Sequence, residues 1–111
     1  MNWINIVSAN QLEEIKERSK TVPQVIFKHS IRCSISSMAK SRLERSAQPE
    51  NIDFYFLDLI NYRALSTKLA EEFEVSHESP QVLIIKHGKC VYDESHSAIR
   101  MDDILQHAGS N

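Results

Sequence analysis

The chain has 111 residues, 41% apolar and 25% charged, with a net charge of −2. That length carries one domain over residues 1–111, and that composition excludes a disordered chain. The slight acidity offers nothing for nucleic acid or an anionic membrane surface to hold, no apolar run is long enough to span a bilayer, and two cysteines without an export signal point to the cytoplasm.

Residues 3–7 form a short opening strand. Asn10-Gln11-Leu12-Glu13 reads as a helix start, with Asn10 as N-cap and an acidic residue three positions on. Thr21-Val22-Pro23 breaks that helix, and residues 24–29 (Gln-Val-Ile-Phe-Lys-His) make a buried strand. Ile35, Met38, Ala39 and Leu43 then recur at helical spacing, which predicts one inward face. Gln48-Pro49-Glu50-Asn51 ends the helix, and residues 52–59 form a strand covered on both sides. Asn61 is the expected cap of a third helix whose core side is Leu65, Leu69 and Phe73. Val82-Leu83-Ile84-Ile85 is another buried strand, and His87-Gly88 turns it into an antiparallel partner over residues 89–94. Met101, Ile104, Leu105 and Ala108 mark a closing helix.

The order β-α-β-α-β-α-β-β-α requires parallel crossovers early and an antiparallel hairpin late. It predicts an α/β fold with a mixed central β-sheet flanked by helices on both faces, the order of the thioredoxin-like fold. In that fold the nucleophilic cysteine follows the second strand, and here Cys33 stands there, directly before the second helix. A thiol at a helix N-terminus meets unpaired backbone N–H groups and the positive end of the dipole, which favour the thiolate. Where a dithiol protein has its second cysteine, three residues on, this chain has Ser36. Thioredoxin-like proteins also carry a cis-proline before the strand that enters the hairpin. Pro80 holds that position, and the backbone of Ser79 is then expected to dock a thiol peptide in line with the Cys33 sulfur.

Phe27-Lys28-His29-Ser30, Cys33-Ser34-Ile35-Ser36, His77-Glu78-Ser79-Pro80-Gln81 and Ser95-His96-Ser97 resemble the monothiol bacilliredoxin (YtxJ-like) family through nearly the whole chain. One departure is Ser34, where the family has proline. The resemblance implies a thiol–disulfide oxidoreductase that removes bacillithiol, a cysteine–glucosamine–malate thiol, from S-bacillithiolated protein cysteines. Bacillithiol is then a co-substrate with no permanently bound cofactor. The partners are the modified proteins and a low-molecular-weight thiol or reductase as reductant. Cys33 is the catalytic residue. Ser79, Pro80 and His77 are expected at the substrate, and Arg32 and Lys28 are expected to pair with the malate carboxylates or to act on the cysteine through space.

The other polar residues read more plainly. His29 is expected to be structural, His96 has no assigned role, and Cys90 reads as a half-buried strand residue. No paired Cys or His spacing supports a metal, and no oxyanion-hole motif supports a hydrolase. Two alternatives stay open. One is a monothiol glutaredoxin-like enzyme using another small thiol. The other is a non-catalytic thioredoxin-fold interaction module in which Cys33 is incidental.

Overall fold

The computed structural model describes residues 1–109. Five strands and four helices alternate as β1 (Ile4–Asn5), α1 (Asn10–Arg18), β2 (Gln24–His29), α2 (Ser34–Glu44), β3 (Asp53–Asp58), α3 (Arg63–Glu72), β4 (Gln81–Lys86), β5 (Lys89–Ser95) and α4 (Met101–Gly109), with a 3-10 turn at His96–Ala98 before α4. The sheet order is β1-β3-β2-β4-β5. β1 and β2 run parallel to β3, while β4 runs antiparallel to both β2 and β5. This is the mixed sheet that the element order requires.

Every residue of β2 is buried because the strand lies in the middle of the sheet with helices over both faces. Alternation along it sends Val25 and Phe27 to one core and Ile26 to the other. The first core is closed by Ala39 and Leu43 of α2 and by Ile104 and Ala108 of α4. The second is closed by Leu12 and Ile15 of α1 and by Leu69 of α3, with Phe73 just beyond it. Each fully buried aliphatic or aromatic side chain contributes about 1.5–3 kcal/mol, so these two cores fix which way each helix faces. The same alternation sends Lys28 and His29, the last two residues of β2, to opposite faces.

Three local expectations are corrected. The N-terminus of α1 is held by Gln11, not Asn10: Gln11 Oε1 accepts from the N–H groups of Val7 and Ser8 at 2.6 and 3.1 Å, and its Nε2 donates to Asn5 O at 2.9 Å. Asn61 does not cap α3. The residue at the cap is Tyr62, and Asn61 donates through Nδ2 to Asp58, whose carboxylate also accepts from the Ile60 and Asn61 N–H groups. Lastly, α2 is rotated from the expected stripe: Ser36, Ala39 and Leu43 face inward, while Ile35 and Met38 are 47% and 62% exposed.

The β4–β5 hairpin turns through His87 and Gly88, both at positive φ (53° and 79°), the pair of left-handed residues that a type I′ turn needs. Ser19 ties this turn to the end of α1, accepting the His87 N–H at its carbonyl and the Gly88 N–H at its hydroxyl. None of the described helices is long and apolar enough to cross a membrane.

Candidate functional site

Register places the site. Phe27 pairs with Val82 and Lys28 with Gln81, so the C-terminal end of β2 and the N-terminal end of β4 lie side by side. The segment carrying Cys33 leaves the first, and the segment carrying Ser79 and Pro80 enters the second. Two pieces of chain distant in sequence thus share one edge of the sheet.

Cys33 is the N-cap residue of α2, in extended conformation (φ −110°, ψ 117°), partly exposed and not in a disulfide. Its N–H donates to Ser30 O, and its carbonyl accepts from Ser37 N, the first helical bond. The thiol caps no backbone group of α2. Close to it in the chain, Ile31, Ile35 and Met38 are 64%, 47% and 62% exposed, three apolar side chains left on the surface. Sequence reasoning assigned Ile35 and Met38 to the core; their nearness to the cysteine was the available signal for a surface role.

Ser36 holds the loop before the cysteine against α2. It is fully buried, accepts from Ser30 N–H at 3.0 Å and lies 2.6 Å from His29 Nδ1. The hydroxyl oxygen thus takes the Ser30 amide proton and bonds the His29 ring at the same time, tying β2 to the first turn of α2. Burial pushes the His29 pKa down, and the nearby Lys40 charge adds to this. The ring stacks on Phe27 at 5.8 Å, and Phe27 in turn meets Trp3 at 5.6 Å.

On the opposite face, Lys28 is 0% exposed. Its ammonium donates to His77 Nδ1 at 2.7 Å and to Gln81 Oε1 at 3.0 Å. Burial lowers its pKa to about 8, with Glu78 opposing that shift. Direct contact with a ligand carboxylate in solvent, the role expected for Lys28, is therefore closed to it: alternation turns its side chain into the interior, and its donors serve the proline loop. Gln81 Nε2 donates to Ser76 O at 3.0 Å, and the Glu78 N–H reaches Gln81 Oε1 at 3.4 Å.

The Ser79–Pro80 peptide is cis, and the Ser79 hydroxyl is buried without a partner. His96, unassigned from sequence, secures the far side of this loop. At φ 57° its N–H donates to Pro80 O at 3.0 Å, and its Nε2 lies 3.4 Å from Glu78 Oε1. Arg32 is exposed and makes no ion pair among the described residues, so its guanidinium is open to a ligand. The structure thus gathers Cys33, Arg32, Ser79, Pro80 and His77 at one end of the sheet, with Lys28 beneath His77.

Cys90 is elsewhere. It pairs with Ile85, which pairs with Gln24 at the other end of β2, five residues from His29 and so roughly 16 Å along the strand. It packs on the α1–α3 side, and burial raises its pKa to about 11.

The sequence profile of the family described as monothiol bacilliredoxin BrxC matches residues 4–104. Among solved structures, one described as a candidate oxidoreductase with a thioredoxin fold is 30% identical, with a TM-score of 0.82, covering 94% of this chain and 91% of that one. The Malassezia sympodialis thioredoxin is 18% identical at a TM-score of 0.76, covering 97% and 92%. The Nicotiana alata thioredoxin NaTrxh is 24% identical at 0.73, covering 95% and 91%. These last two likenesses speak for the fold alone.

Proposed function

The chain belongs to the monothiol bacilliredoxin family, a thiol-oxidoreductase type on a thioredoxin fold, and from that premise we propose that it removes bacillithiol from S-bacillithiolated protein cysteines by exchange at Cys33. The observation that carries this reading is a partly exposed thiol at the first turn of α2 with a buried, hydrogen-bonded serine where a resolving thiol would sit. The Cys33 thiolate attacks the bacillithiol sulfur of the mixed disulfide. A bond forms between Cys33 Sγ and that sulfur, the original disulfide breaks, and the protein thiolate leaves with the electron pair and takes up a proton from water. Cys33 then carries bacillithiol until an external thiol or reductase attacks the new disulfide. Ser36 cannot do so, and Cys90 is remote and poorly ionised. The exposed apolar side chains of Ile31, Ile35 and Met38 receive the protein substrate, the backbone at Ser79 and Pro80 aligns it, and Arg32 supplies a cation for the malate carboxylates. Such chemistry belongs in a reducing compartment, the cytoplasm.

The test is reduction of one peptide carrying a bacillithiol, glutathione or coenzyme A cap. Preference for bacillithiol is expected, and equal rates with all three would defeat the assignment. Cys33→Ser should abolish exchange while Cys90→Ser leaves it nearly intact, as read by the mass of the adduct. Loss of turnover in Cys90→Ser would mean that a resolving thiol exists.

A further inference from the structure

We propose that Lys28 is the positioning residue of this site: by donating to His77 Nδ1 and Gln81 Oε1 it fixes His77 with its proton on Nε2 and seats the Ser79–Pro80 edge against which the thiol substrate docks. The proposal deepens the exchange reading above and rests on it.

The chemistry of an ammonium decides the tautomer. Nζ carries only donors, so the ring nitrogen 2.7 Å away must accept. His77 is an exposed residue, so its Nε2–H remains free to donate outward. Ser66 Oγ, from α3, lies 3.5 Å from the same Nδ1. The second Lys28 contact acts on the loop itself: Gln81 binds Ser76 O through its amide nitrogen, so the ammonium, Gln81 and His77 clamp residues 76–81 from below. His96 clamps the same loop from beyond β5.

No carboxylate of the described residues forms an ion pair with Lys28, an uncommon arrangement for a buried lysine. The charged groups around the pair are Glu78 on the loop and Arg63 from α3, and the titratable His96 lies against Glu78. Burial and the Lys28 charge hold the His77 pKa below its ordinary value. Protonation of His77 would remove the acceptor and set two cations in contact, so the clamp operates with His77 neutral and Lys28 charged.

The test begins with the reduced wild-type protein. Two-dimensional nitrogen–proton spectra of the His77 ring should give the Nε2–H tautomer, titrating below the ordinary histidine range. In Lys28→Met the His77 titration should move upward, because the neighbouring charge is gone. KM for a bacillithiol-capped peptide should rise about tenfold with kcat changed less than about threefold, the split expected when docking is loosened and the reacting sulfur is untouched. An Nδ1–H tautomer in the wild type overturns the proposal whether or not the variant folds, as does an unchanged KM in a folded Lys28→Met. Failure of the wild type to use bacillithiol would defeat the function while leaving the tautomer result standing, so the two failures are distinguishable.

Discussion

A buried ammonium without a contacting carboxylate weakens the protein that holds it. Two neutral acceptors recover only part of the hydration that Lys28 gives up on folding. The pH dependence follows from the pKa near 8 in the folded chain against 10.5 for a free lysine. Below about 8 both states bind the proton and the folded state bears the desolvation in full. Between those values the unfolded state binds more protons, so stability rises with pH. The gain from this one group is at most about 3 kcal/mol. Urea midpoints of the wild type should therefore climb across that window, and those of Lys28→Met should not. The variant should be at least as stable as the wild type at pH 7, because an apolar side chain of similar length replaces the buried charge. A variant much less stable at pH 7 would mean that the clamp is chiefly structural. The sequence hid this role: Lys28 reads as a surface ligand until the strand's alternation is tied to a helix on each side.

At the scale of the element, α2 is oriented by Ala39 and Leu43 in the core together with one buried hydroxyl. Turning Ser36 inward satisfies the Ser30 amide and His29 together, and it leaves Ile35 and Met38 on the surface. Ser36→Ala leaves both partners unsatisfied and should cost about 1–3 kcal/mol. The exchange rate should fall with it, because the loop before Cys33 loses its tie to the helix; wild-type kinetics in a variant destabilised by that amount would contradict this coupling. Ser36→Cys should give an intramolecular disulfide on oxidation, visible as a loss of two mass units, and turn the protein toward dithiol chemistry. Periodicity located α2 but not its rotation, since a serine scores as polar wherever it stands. The β2 boundaries, by contrast, were legible to the residue, because Pro23 ends the preceding turn and six positions without a turn residue follow it. The caps of α1 and α3 were misread for another reason: neither helix has a side-chain cap, and Gln11 and Asp58 bond the backbone of the segments leading into the helices instead.

Across the whole molecule the sheet separates chemistry from closure. The thiol, the proline loop and the contacts of His29 and His77 sit at one end, while Cys90 and the His87–Gly88 turn occupy the other. His29 and His77 brace that active end from the two faces, and burial holds both below the usual histidine range. Each is neutral when folded, so on acidification below 6.5, their ordinary value, the unfolded chain takes up protons that the folded one refuses. Stability should decline through that range. Equal denaturant midpoints at pH 7.5 and 5.5 would refute the account. The fold was legible because element order and buried runs determine a thioredoxin-like topology. The clamp was not, since Lys28 and His77 lie 49 positions apart and only the β2–β4 register brings them together.

Trp3, the only tryptophan, packs on Phe27, whose other neighbour is the His29 ring bonded to Ser36. Its indole N–H donates to Glu44, the last residue of α2. The helix that begins at the reactive sulfur is thus in contact with the indole at its far end and, through two stacked rings, near its start. Intrinsic fluorescence is therefore expected to change when an adduct forms on the Cys33 thiol, and stopped flow without a label would read it.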